Sequence, residues 1–261
     1  MDTTTILQGR TFTFYAPTGF QYTIREQNGA DDDILSNPSE ARDLTNIHRF
    51  IASLVIKTDA TPSGKLTLKD VRQLPTLDKY CILINSRIFS MGNNLEFEHD
   101  WGTEKGGKVS YSQDLNEYLF DYQIVPSPEQ LLSKPNAIPF YPLRENKQFK
   151  DIPLNLSSGK KLLFDNLSGE GEAYVLGLPL DKRTRNQELI SRNLRLEVNG
   201  VFEKIQSFHL FSVKDMQEIR KYISAYDPVF NGNVEIENPT TGEIITIPLL
   251  GISGFFFPGE I

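Results

Sequence analysis

The chain has 261 residues, 39% of them apolar and 23% charged, and a formal net charge of −7. That length buries a real core in one large domain or two small ones. The acidic balance excludes nucleic acid as the main ligand, which needs a basic face, and the single cysteine, Cys81, excludes an internal disulfide and a cysteine-based zinc site. An apolar share below the usual ~45–50% points to a multi-lobed protein, or to one that completes its burial against partners. The opening MDTTTILQGR lacks a basic region followed by an apolar one, so no signal peptide is expected. No apolar run approaches the ~18 residues of a membrane span.

In chain order, residues 11–26 predict a β-hairpin: Phe12 and Phe14 alternate with threonines, Thr18-Gly19 turn, and Phe20, Tyr22 and Ile24 alternate with polar residues. The acidic run Asp31-Asp32-Asp33 reads as a solvated loop, with divalent-cation binding as the sharper alternative; it lacks the glycine and glutamate of an EF-hand loop. Asn37-Pro38-Ser39-Glu40 has the chemistry of a helix start. The apolar stripe Ala41, Leu44, Ile47, Ile51, Leu54 and Val55 carries that helix to about Lys57. Thr67–Leu74 predicts a short helix. Pro75 opens a longer one, with Leu77, Tyr80, Cys81, Ile84 and Ile88 as its stripe and Met91-Gly92 as its end. A hairpin follows, from Leu95–Glu98 to Lys108–Ser112 across a glycine-rich tip.

Six prolines between 126 and 153 mark a linker with one helical turn around Glu129–Leu132. Beyond it, Leu162–Phe164 and Ala173–Leu178 are strand-like, Asn186–Asn193 is helical, and Ser207–Ser212 is ambiguous. Ser212 caps a helix that buries Val213, Met216, Ile219 and Ile223 and stops at Tyr226-Asp227-Pro228. Val234–Ile236 and Ile244–Ile247 form a last hairpin around Asn238-Pro239-Thr240-Thr241-Gly242, ahead of Phe255-Phe256-Phe257-Pro258. The fold class is α+β: helices with β-hairpins in two lobes, 1–125 and 156–261, joined by a proline-rich linker over 126–155. Each lobe ends in a helix followed by a hairpin, which suggests an internal duplication.

Few residues have the spacing of a chemical site. Gly64-Lys65 and Gly159-Lys160 are not P-loops, and Gly169-Glu170-Gly171 lacks the third glycine of a dinucleotide fingerprint. Of the histidines, His48 belongs to a helix boundary and His209 to a strand. His99 lies in Glu98-His99-Asp100-Trp101, where a metal site competes with a solvated strand end; alternation lets at most Glu98 and Asp100 share a face. Tyr118, Phe120 and Tyr122 read as a half-buried strand or as an aromatic strip for a glycan. Two sequons, at Asn155 and Asn166, carry no weight without a secretion signal. No catalytic residue, metal ligand or cofactor is assigned. Phe255, Phe256 and Phe257, with Pro258 and Ile261, are the candidate interface residues, docking on their own hairpin, on a neighbouring subunit, or on both.

Several stretches in order resemble the T-even-like baseplate hub subunits and tail-tip assembly proteins of phages. They are Tyr22–Glu26 with Gly29–Leu35, the helix Asn46–Val55, Leu77–Tyr80 through Ile84–Gly92, and Tyr226-Asp227-Pro228 with Ile247-Pro248-Leu249 and Phe255–Pro258. The likeness covers roughly 20–115 and 210–261. It implies a non-enzymatic structural or assembly role in a contractile tail, located in the virion baseplate and, during assembly, in the host cytoplasm. The partners implied are other hub proteins, the spike or the tape measure. A tape-measure chaperone absent from the virion and a tail-tip cell-wall hydrolase are the alternatives. Relatives place Cys-x-x-Cys pairs at positions matching about 98–102 and 235–242. None stands here, so Trp101 packing and turn chemistry are expected to hold both hairpins. Truncation after Gly251 is expected to leave a folded protein that no longer enters particles.

Overall fold

A computed structural model describes residues 9–41, 44–141 and 148–257. The fold is α+β, with helices packed around four small antiparallel sheets. The first sheet holds β1 (Thr11–Tyr15), β2 (Gln21–Arg25) and, after three helices, β3 (Val55–Thr58), in that spatial order. The helices are α1 (Gly29–Leu35), α2 (Pro38–Ala41) and α3 (Thr45–Leu54). The single helix expected over 37–57 is thus broken. Leu44 adopts a left-handed φ of 60° before α3, and the β-branched end of the stripe leaves the helix to pair with β2. The expected solvated loop at Asp31–Asp33 is helical. Asn28 caps it in a capping box with Asp31, which is buried and grips Arg25 through two bonds of 2.7 Å. Burial alone would raise the Asp31 carboxyl. Hydrogen bonds from Arg25, the Asn28 backbone and Ser53 outweigh it and hold the group below its usual range.

α4 (Leu68–Gln73) and α5 (Thr76–Met91) follow, capped by Thr67 and opened by Pro75. α5 is the central helix of the first core, buried nearly throughout its first three turns. Its Asp78 is fully buried. It accepts hydrogen bonds from the Thr18 backbone (3.0 Å), the Thr18 hydroxyl and the Tyr22 hydroxyl (3.0 Å), which fixes α5 to the first hairpin. At its other end Arg87 donates to the Gly92 carbonyl at 2.9 Å, and Ser86 and Ser90 bind Gln27. The second hairpin is β4 (Asn94–Asp100) with β5 (Lys108–Asp114).

The predicted linker is not a free tether. It carries α6 (Pro128–Ser133), whose capping box is Ser127 with Gln130. Ile138 and Tyr141 then bury in the first core, and the Ile138 carbonyl accepts from Tyr122 at 2.8 Å. Tyr118 and Tyr122 are buried side chains of a 3-10 turn and the coil after it, not an exposed strip.

Residues 152–226 build a second core. β6 (Ile152–Asn155) and β7 (Lys161–Phe164) precede α7 (Gly169–Gly177) and α8 (Arg185–Ile190). Next come β8 (Arg195–Val198), β9 (Val201–Lys204) and α9 (Val213–Tyr226). The four strands form one sheet in chain order, closed over Met216, Ile219 and Ile223 of α9. Val213, expected in that stripe, is exposed, and His209 lies in a turn rather than a strand. The strand expected at Ala173–Leu178 is helical because Ser168 caps α7, with Glu170 and Glu172 in its first turn.

The chain then returns to the first core. Phe230 packs edge-on against Tyr80 at 5.0 Å, and β10 (Asn233–Glu237) and β11 (Ile244–Pro248) pair as the last hairpin. Val234, Ile236, Leu249, Ile252 and Phe255 bury with the N-terminal residues, Phe255 on the short α10 (Ser253–Phe256). The division suggested by the sequence, with 156–261 as one lobe, therefore shifts: the second core is inserted into the first, and the last hairpin belongs with the beginning of the chain. Helices α5 and α9 pack in different cores, so any likeness between the halves is confined to the hairpins.

Candidate functional site

The last hairpin leans on β4–β5, and polar groups lock the two together. Trp101 donates its indole N–H to the Tyr111 hydroxyl, which donates on to the Glu237 carbonyl, each at 2.9 Å. Asn238 is fully buried at the tip of the last hairpin. Its Oδ1 accepts from the Thr240 and Thr241 N–H groups, and its Nδ2 donates across to the Lys105 carbonyl at 2.9 Å. Lys105 pairs with Glu243 at 2.6 Å. Gly106, at φ 101°, lies so close to Thr240 that a Cβ would stand 2.8 Å from its hydroxyl. Trp101 and the turn residues thus tie the two hairpins together. Glu98, His99 and Asp100 do not converge, and His99 sits edge-on to Trp101 at 4.8 Å. Among the described residues no three His, Cys, Asp or Glu side chains are placed to hold a metal ion.

The aromatic tail follows from the same hairpin. Its rings lie in a helical turn, not a strand, so successive side chains fan out by ~100° instead of alternating. Phe255 points inward and is 1% exposed, Phe256 meets Phe50 edge-on at 6.1 Å, and Phe257 is half-buried against the same core. Gly254 permits the approach: a Cβ there would lie 3.0 Å from the Glu96 carbonyl. Phe255 is therefore an anchor within the chain and not a docking ring, and only Phe256 and Phe257 keep part of their surface free. Pro258 and Ile261 lie outside the described residues.

Exposed apolar side chains are concentrated elsewhere. Of the sixteen large exposed hydrophobic residues among those described, twelve fall between 124 and 213. They form three groups: Ile124, Val125, Leu131 and Leu132 around α6; Tyr174, Leu176 and Leu180 at the end of α7; and Val198, Val201 and Phe202 on the β8–β9 hairpin with Leu210 and Val213 beyond it. α6 buries none of its residues, although it is well capped. β9 is an edge strand with all four residues exposed. None of these positions was a sequence candidate. The available signals were the leucine pair next to a capping box and the Asn199-Gly200 turn between apolar strands.

The inserted core meets the first core through α7. The pair of glycines once set against a dinucleotide fingerprint serves packing. A Cβ on Gly169 would fall 2.5 Å from His48 Nε2, and one on Gly171 2.5 Å from the Ser191 carbonyl oxygen. Lys79 on α5 pairs with Glu172 on α7, and the Thr76 N–H donates to the Leu167 carbonyl at 2.7 Å. His48 is thus a buried junction residue.

No helix among the described residues is long and apolar enough to cross a membrane. Neither a protein-family model, nor a curated protein, nor a solved structure matches this chain.

Proposed function

We propose that this protein is a non-enzymatic structural or assembly component of a contractile phage tail, placed in the baseplate hub, and that it works by docking on other hub proteins, the spike or the tape measure. The observation that carries docking is the apolar surface between residues 124 and 213, on a chain whose two cores are already closed. Apolar side chains gathered on so few short elements are what partner surfaces require. The tail setting rests on the ordered resemblance over 20–115 and 210–261. Residues that carry it also fasten the first core: Arg25 pairs with Asp31, Ser86 and Ser90 on α5 accept from Gln27, and Phe255 lies on the turn that packs against β4.

The test replaces Val125 and Leu132, 84% and 81% exposed, by aspartate. Exposed changes of this kind alter stability by no more than ~0.5 kcal/mol, so the double variant should melt like the parent. It should be missing from purified particles, as followed by mass spectrometry. A double variant that enters particles at the parental level would show that the apolar group around α6 docks on nothing in the tail.

A further inference from the structure

The two edge strands of the inserted sheet, β6 and β9, are not alike. In an antiparallel pair, successive residues turn their N–H and C=O groups alternately toward the partner strand and away from it. After β6 the Leu156 N–H bonds to the Lys160 carbonyl at 2.9 Å, and the register that pairs Leu154 with Leu162 then turns the backbone groups of residues 153 and 155 outward. Residue 153 is a proline with no N–H to offer, a device that closes an edge to further strands. After β9 the Ile205 N–H bonds to the Leu194 carbonyl at 3.0 Å. In that register Val201 and Glu203 face β8, and the backbone groups of Phe202 and Lys204 face outward. Nothing among the described residues pairs with that side of β9, and all four of its residues are exposed.

An open backbone edge takes another strand, and the sequence of β9 fits a second copy of itself. Opposite residues in an antiparallel pair share a face, so a twofold axis must set one residue directly against its own copy. Centring on Glu203 or Lys204 sets like charges opposite each other. Centring on Val201 aims the outward groups of Phe202 at Gly200, which the turn holds at φ 81°, out of extended geometry. Centring on Phe202 escapes both. Each Phe202 then donates its N–H to the other's carbonyl, and the two rings, each 37% exposed in the single chain, lie side by side on one face. Lys204 falls on the diagonal beside the second ring, within reach of a cation–π contact. Glu203 stands opposite apolar Val201 rather than another acid. We infer that the chain forms a twofold dimer through β9, joining two four-stranded sheets edge to edge. This inference does not depend on the tail assignment.

The experiment is sedimentation equilibrium of the full chain from micromolar to millimolar concentration. Two hydrogen bonds and one ring pair make a weak contact, so half-dimerisation is expected at roughly 10–100 µM. Phe202→Pro removes the outward N–H and the ring but leaves the bonds to β8 in place, so it should stay monomeric throughout. Phe202→Ala keeps the N–H and should weaken the dimer roughly tenfold, which decides the matter even where the proline variant fails to fold. Glu203→Gln should leave the dissociation constant within about twofold; a much tighter dimer would place the axis at Glu203 and overturn the register. A parent chain that stays monomeric at millimolar concentration, or a dimer that Phe202→Ala leaves unchanged, would overturn the proposal and leave the β9 edge to a strand from a different protein.

Discussion

Asn238 offers the sharpest test of what holds the two paired hairpins together. In Asn238→Ala three hydrogen bonds go: the one to the Lys105 carbonyl at 2.9 Å and those from Thr240 and Thr241 at 2.8 and 3.2 Å. At ~1 kcal/mol net for each, the ceiling is about 3 kcal/mol. Thr240 and Thr241 are exposed, so water takes over part of their loss, and about 2 kcal/mol is expected. Asn238→Asp separates the two functions of the side chain. It keeps an acceptor for the turn but points a carboxylate oxygen at the Lys105 carbonyl, so it should cost at least about 1 kcal/mol if the bridge between hairpins matters. The assay is urea unfolding followed by Trp101 fluorescence. Trp101 is the only tryptophan and its indole N–H belongs to the same junction. With a urea slope of about 2–3 kcal/mol/M for a chain of this size, the alanine variant should lower the midpoint by about 0.7–1 M. An aspartate variant that unfolds with the parental midpoint would mean that Asn238 shapes its own turn and contributes nothing to the contact between hairpins.

The buried ring of Phe255 should cost about 3–5 kcal/mol when cut to alanine, measured by the same unfolding curves, whereas half-buried Phe257 should cost much less. Gly171→Ala should destabilise by about 1–3 kcal/mol, because its Cβ would stand 2.5 Å from a backbone oxygen that cannot swing away; calorimetry should show a Tm several degrees lower. The Asp31 carboxyl, depressed in the folded state, contributes stability that is fully present above its unfolded value near pH ~4 and is lost as pH falls through the lower folded value. Asp31→Asn should therefore be less stable than the parent at neutral pH, and the gap should close on acidification; a gap that stays constant down to pH ~2 would contradict the Arg25 pairing.

Much of the fold was legible where one chain segment carries its own instructions. α5 and α9 have apolar stripes at helical spacing, and Ser212 with Asp215 marks the start of α9 to the residue. The hairpins β4–β5 and β10–β11 are written in alternation and turn residues. What escaped depends on partners distant in sequence. The Ala173–Leu178 stretch shows no helical stripe because α7 leaves Tyr174 and Leu176 exposed and buries glycines. Asp31 looks like part of a solvated acidic run until Arg25 is brought beside it. The β8–β9 hairpin is a different case, since Asn199-Gly200 is a direct local signal and both residues take the left-handed φ of such a turn, 53° and 81°. The cleft of about 490 Å³ between the inserted sheet and α7 was not legible at all, because its lining is drawn from residue 73 and from 149–151, 165–174 and 190–205, segments far apart in the chain.

The position of the tail changes how docking has to be tested. Truncation after Gly251 looks like the natural experiment on three terminal phenylalanines, but it removes Ile252 and Phe255, which are 5% and 1% exposed in the first core. The truncate loses several kcal/mol of burial, a large part of the ~5–15 kcal/mol that holds a domain together. Its failure to enter particles would then report unfolding as readily as a lost contact, so the expectation that it stays folded does not follow from this packing. Phe257→Asp is the better probe. Its ring is only half-buried, so the fold should survive, while a charge on a partner-facing ring would abolish the contact. If Phe257→Asp unfolds at the parental midpoint and is absent from particles, the tail reaches a neighbour as well as its own core. If it is incorporated normally, the closing segment is an internal clasp, and docking rests on the exposed apolar groups between residues 124 and 213.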